Sequence, residues 1–241
     1  MSPADPSLPA APGCRVDHLV VAADNLEQGA RWCLETLGVK PKAGGRHALM
    51  ATHNCLLKLD GEAWPDAYLE IIAIDPSAEH AAAAGRARWF GLDDPHQRHL
   101  IRQAPRLVHF VARSTDLQSA LHALTRLGED VGEIVAASRP TPDGELRWRI
   151  TVRDDGKPQH RGALPTLIDW QGTHTPGTRM GSGGVALLAL KARSARPLDL
   201  QRAWSAIGLG TVQLAVDGSE PALEAVLQTP LGEVRLSGGF G

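Results

Sequence analysis

The stretch RVDHLVVAADNLEQGARWCLETLG, residues 15–38, is answered by RLVHFVARSTDLQSALHALTRLG at residues 106–128. Both segments start with Arg, place a histidine three positions on, continue through an aliphatic run and end in Leu-Gly. His109 follows His18, and Leu117 follows Leu26, by the same 91 residues. A repeat at constant offset decides architecture before any local reading does, because each copy is one supersecondary unit.

Within each copy the aliphatic run reads as a strand and the remainder as an amphipathic helix. Leu26, Ala30, Cys33 and Leu37 recur at helical spacing, as do Leu117, Ala120, Leu124 and Leu127. Asp24 with Glu27, and Thr115 with Gln118, are the expected N-terminal capping pairs, while Gly38 and Gly128 suit the left-handed helix end. Further strands are expected at 47–51, 53–59 and 67–74 in the first copy and at 133–139, 145–152 and 164–170 in the second. Turns are expected at Asp60-Gly61, Asp143-Gly144 and Asp155-Gly156.

The unit is therefore βαβββ, repeated, which makes the chain an α+β protein. The expected organisation is a loose tail over 1–14, modules over 15–75 and 106–172, a linker over 76–105 that folds over the pocket, and an additional unit over 181–241. That third unit also reads as βαβββ: a strand at 185–192, a helix around Leu200 to Ile207, and strands at 211–216, 222–228 and 232–237. It carries no histidine, the last being His174, so it reads as a structural or dimerising appendage.

Composition narrows the partners. Lys plus Arg number 25 against 27 Asp plus Glu, a net charge of −2, which supplies no basic excess for a phosphate backbone. No run of about 18 apolar residues is present, so no membrane span is expected. Met1 to Gly13 lacks a basic start and an apolar core, unlike a signal peptide. Cys14, Cys33 and Cys55 are irregularly spaced, which suits free thiols in a reducing cytoplasm. A small molecule is the expected partner, with a homodimer as a further possibility.

Alternate side chains of a strand share a face, so His18 should lie with Val16 and Val20, and His109 with Leu107 and Val111. Each is a lone histidine among apolar neighbours. Glu70 in AYLEIIAI and Asp169 in LPTLIDW sit within apolar strands, where an unpaired carboxylate is costly and wants a cation. Two imidazoles and two carboxylates suit Zn, Fe, Mn or Ni with a position open to substrate. The alternative is an ion pair with a strand arginine such as Arg147 or Arg149.

With GGRHALMATHN at 44–54, AYLEIIA at 67–73, SRPTPDGELRWRIT at 138–151 and LPTLIDWQG at 164–172, residues 15–172 resemble the glyoxalase-like branch of the vicinal oxygen chelate superfamily. The resemblance implies a half-open mixed β-barrel of two modules. It also implies metal ligands from the first and fourth strand of each, falling on His18, Glu70, His109 and Asp169. Asp169 departs from the pattern, because glutamate is the more usual last ligand.

The implied activity is that of a metal-dependent lyase, isomerase or dioxygenase acting on a small oxygenated metabolite. The alternative is a metal-free protein that binds or sequesters a small molecule. Catalytic roles are expected for Glu70, with a pKa raised by its apolar strand, and for His47. His53, Asn54, Ser138, Arg139, Arg147 and Arg149 are the expected substrate contacts, the arginines pointing to an anionic substrate.

Overall fold

The computed structural model describes residues 13–78, 86–141, 144–172, 174–214 and 223–240. Strand β1 (Arg15–Ala22) leads into helix α1 (Leu26–Leu37), followed by β2 (Lys42–His47), β3 (Thr52–Lys58) and β4 (Tyr68–Ile74). After the connecting helix α2 (Pro95–Gln103), the pattern repeats as β5 (Arg106–Arg113), α3 (Leu117–Arg126), β6 (Glu133–Thr141), β7 (Gly144–Val152) and β8 (Thr166–Trp170). Ala81 to Ala84 of the linker and Asp143 of the expected turn lie outside the described residues.

The helices stand where expected, with caps one residue later. Asn25 accepts the Gln28 N–H, and Asp116 accepts the Ser119 N–H, at the two N-termini. The buried stripe of α1 is Gly29, Cys33 and Leu37, whereas Leu127 lies beyond α3 and is exposed. The strand expected at 47–51 is also displaced: β2 ends at His47, and Ala48–Met50 form one tight 3-10 turn closed by Ala51 at a φ of 46°. Gly44 and Gly45 lie inside β2.

Eight strands form one mixed sheet in the order β2-β3-β4-β1-β5-β8-β7-β6, which curls into a nearly closed barrel with β2 and β6 at the seam. Within each module the first strand runs parallel to the last, and β1 meets β5 antiparallel at the pseudo-two-fold axis. Two cores result. The outer holds Leu19, Val21, Leu37, Ile71 and Phe110 under the helices, and the inner holds Val20, Ile72, Trp89, Phe90, Val111, Trp148 and Ile168.

The β1–β5 register skips Asp17 and Val108, two bulges that each stand just before a histidine. A bulge shifts the alternation by one residue. This corrects the expected faces: Val16 and Leu107 belong to the outer core, while Val20 and Val111 are in the inner one.

The C-terminal region continues with α4 (Pro176–Arg179), β9 (Ala186–Ala192), α5 (Pro197–Ala206), β10 (Gln213–Leu214), β11 (Leu223–Thr229) and β12 (Gly232–Gly238). Its strands make a separate sheet in the order β10-β9-β11-β12, whose buried face joins the outer core. Part of the strand expected at 211–216 lies outside the described residues.

Candidate active site

A cleft on the concave face of the barrel is lined by His18, His47, Asn54, Glu70 and Arg139, walled by Trp89, Trp148 and Trp170, and encloses about 410 Å³ of atom-free space open to solvent. His18 comes from β1, Asn54 from β3 and Glu70 from β4, three strands that are neighbours in the sheet.

One hydrogen-bonded chain crosses the floor. The Asn54 amide donates to Glu70 Oε1 at 2.6 Å and to His47 Nε2 at 3.3 Å, and its Oδ1 accepts the Gly45 N–H at 2.7 Å. His47 Nδ1 then meets Thr52 Oγ1 at 3.0 Å. On the other side, Glu70 Oε2 faces His18 Nε2 at 3.5 Å, and His18 Nδ1 lies 2.8 Å from Asp17 Oδ1. Asp17 also accepts the Trp170 indole N–H at 3.0 Å. The Asp17 bulge turns this carboxylate beside the His18 ring, where plain alternation would place it on the opposite face.

The electrostatics follow from these pairings. Burial alone would strip His18 of its proton, but hydrogen bonds and charge from Asp17 and Glu70 outweigh it and raise its pKa to about 9. Burial likewise pushes Glu70 upward, yet the hydrogen bond and charge of His18, with His47 and Asn54, win and hold it down at about 2. The raised Glu70 pKa expected from its apolar strand is thus corrected: the partner, not the strand, sets the protonation state. His47, buried and facing Trp89 and Trp148 edge-on, is held neutral at about 4.

The four expected metal donors are not gathered into one cation site. His109 Nδ1 donates to Gly162 O at 3.1 Å, and its Nε2 accepts the Thr166 backbone N–H at 3.0 Å, so both ring nitrogens are committed. Burial keeps this ring neutral, at about 3. It lines a second recess, with Thr151, Thr166 and Lys157, which shares the walls Trp89 and Phe90 with the cleft. Asp169 is paired with Arg149 at 2.5 Å and with Gln171 at 2.8 Å. It lies between Ile168 and Trp170, which face the interior, so strand alternation points it outward.

The repeat itself shows where the two modules part. Val20 pairs with Glu70 in the β1–β4 register, and its counterpart Val111 pairs with Thr166 in β5–β8. Thr166 therefore occupies the position equivalent to Glu70, and its hydroxyl lies 3.0 Å from His109 Nε2, as Glu70 faces His18. Among the described residues no group of three or more His, Cys, Asp or Glu is arranged to hold a metal ion. The donor set that the resemblance implies is therefore not assembled, because His109 and Asp169 are engaged away from the His18–Glu70 pair.

The expected substrate contacts divide by strand face. Asn54 and Arg139 line the cleft, whereas Ser138, Arg147 and Arg149 lie on the outer face of β6 and β7, where Glu145 bonds Ser138 and Arg147. His53, opposite Arg46 in the register, is not a wall of the cleft. Asp17, Tyr68 and Trp89 join the site without having been singled out in the sequence. Tyr68 stacks on His18 with centroids 4.7 Å apart, and Trp89 enters from the linker.

Two βαβββ modules joined back to back around one cleft define the vicinal oxygen chelate class. Within that superfamily the chain belongs to the glyoxalase-like domain family, which it matches over residues 16–208. The structure of a hypothetical protein from Staphylococcus aureus superposes with a TM-score of 0.58 at 13% identity, covering 95% of this chain and 86% of that one. Methylmalonyl-CoA epimerase from Mycobacterium tuberculosis gives 0.38 at 15% identity, covering 70% and 95%. A mutant 4-hydroxymandelate synthase from Streptomyces coelicolor gives 0.47 at 13% identity, covering 94% and 63%. No curated protein matches the chain. No helix among the described residues is long and apolar enough to cross a membrane.

Proposed function

We propose that the cleft binds a small oxygenated anion and moves a proton on it, an isomerase-type reaction carried by His18 and Glu70. The supporting observation is the buried, charge-paired His18 and Glu70 at the cleft floor, joined by a long hydrogen bond of 3.5 Å. A substrate carbonyl oxygen that takes the His18 Nε2–H leaves Glu70 Oε2 without that partner, and its basicity rises. Glu70 then accepts a proton from the carbon next to the carbonyl. The C–H electron pair moves to the oxygen as an enolate, which the His18 imidazolium holds, and return of the proton completes the cycle. Asn54 keeps the Glu70 carboxylate oriented throughout. Arg139 adds positive charge at the cleft wall.

Proton exchange on 2-oxobutyrate in D2O, followed by loss of its C3 proton signals in NMR spectra, tests this reading. Exchange above the buffer rate is expected, falling at least about 100-fold in Glu70→Gln and in His18→Gln, and surviving chelator treatment. Binding of 2-oxo carboxylates with no exchange above buffer supports instead a metal-free binding or sequestering protein on the same scaffold. Turnover that disappears with chelator and returns with Zn, Fe, Mn or Ni supports the metal-dependent lyase, isomerase or dioxygenase.

A further inference from the structure

Arg139 is the one member of the expected arginine set that lines the cleft. Arg147 is held by Glu145 and Arg149 by Asp169, whereas the Arg139 guanidinium makes no hydrogen bond or ion pair with a described residue. A half-buried guanidinium has five donors and no acceptor, so the group that completes it must be rich in acceptor oxygens. A carboxylate matches its flat fork with two parallel hydrogen bonds.

Its placement depends on one residue across the barrel seam. A Cβ on Gly45 would stand 2.4 Å from Arg139 Nη1 and 2.8 Å from both Cδ and Cζ. Gly45 has no left-handed φ, so its backbone does not demand glycine. What demands it is room: the Arg139 side chain of β6 fills the space over Gly45 of β2 that a Cβ would take. An added methyl meets the far end of a flexible side chain, which can swing away without disturbing the barrel.

We propose that Arg139 seats the carboxylate of the ligand and that Gly45 is the positioning residue that aims it into the cleft. The proposal rests on the reading of the cleft as an anion-binding site and adds which residue selects the anion and how that residue is held.

The test compares 2-oxobutyrate with its uncharged primary amide by calorimetry on the full chain. Wild type should favour the carboxylate at least tenfold. Arg139→Met should erase the preference, Gly45→Ala should cut it at least fivefold, and Gly45→Ala in the Arg139→Met background should change nothing more. In the exchange assay the Gly45→Ala loss should fall mainly on KM, which should rise at least fivefold and by a larger factor than kcat falls. A merely structural glycine would not produce that split.

Arg139→Lys keeps the charge without the fork. It should lose at least threefold in carboxylate preference, which tests the anchor without altering Gly45. Equal binding of acid and amide by wild type, an unchanged preference in Gly45→Ala or Arg139→Met, or a further loss in the double variant would each overturn the proposal. A preference that vanishes in both single variants while wild type shows no proton exchange would sink the proton-transfer reading and leave this one standing.

Discussion

At the scale of single residues, the two histidines of the repeat have parted in role. His18 is a charged ring between Asp17 and Glu70, whereas His109 is a neutral ring bridging Gly162 and Thr166. His109→Leu leaves a buried carbonyl and a part-buried N–H unpartnered and should cost about 2–4 kcal/mol in urea unfolding. Ligand affinity in the cleft should stay within twofold of wild type, an outcome that a metal-ligand role for His109 would not allow. The pH dependence follows from the same rings. His18 is raised above its ordinary value, so its contribution is complete below about pH 6.5 and is lost as pH climbs through about 9. His47 and His109 are depressed to about 4 and 3, so theirs is present above about 6.5 and is lost as pH falls through those values. Urea midpoints measured across pH should peak near neutrality, and His18→Gln should flatten the alkaline limb while also weakening the acid limb through Glu70, whose low pKa depends on His18.

At the scale of elements, glycines within regular structure mark close approaches. A Cβ on Gly29 of α1 would come within 2.5 Å of Ile71 Cγ2, on the face of β4 opposite Glu70. Alanine gains about 1 kcal/mol in helix propensity, but overpacking against a buried β-branched side chain costs about 1–3 kcal/mol. Gly29→Ala should therefore destabilise the chain by about 1 kcal/mol in urea, the reverse of the propensity expectation. The Gly44-Gly45 pair follows the same logic within β2. A Cβ on Gly44 would overlap Asn54 Oδ1 at 2.0 Å and stand 2.8 Å from its backbone oxygen. Gly44→Ala should lower proton exchange at least tenfold by displacing the amide that orients Glu70, as read by kcat in the NMR assay. The need for these two glycines is not legible in the sequence because the side chains that take their space arrive from β3 and β6.

At the scale of the whole molecule, the C-terminal sheet shares the outer core with both modules. Trp204 donates its indole N–H to Ala163 O at 3.1 Å, and the Gly239 N–H reaches Leu107 O at 2.8 Å. His160, buried, meets Glu129 at 3.0 Å and Ser194 at 3.2 Å, tying the second module to the segment before α5. Removing 181–241 should abolish the cooperative thermal transition and send the remaining chain into the void volume on gel filtration, because it strips the cover from Leu107, Phe110 and Leu164. The repeat and the helices were legible in the sequence, since a constant offset and a 3.6-residue period survive without coordinates, and the resemblance placed His18 and Glu70 in one pocket. Local chain chemistry thus determined two βαβββ units with a histidine in the first strand of each. Only the tertiary structure decided which carboxylate each histidine meets. Bulges at Asp17 and Val108, the β5–β8 register and the meeting of β2 with β6 come from contacts between distant strands, and a one-residue shift there sends a side chain to the opposite face.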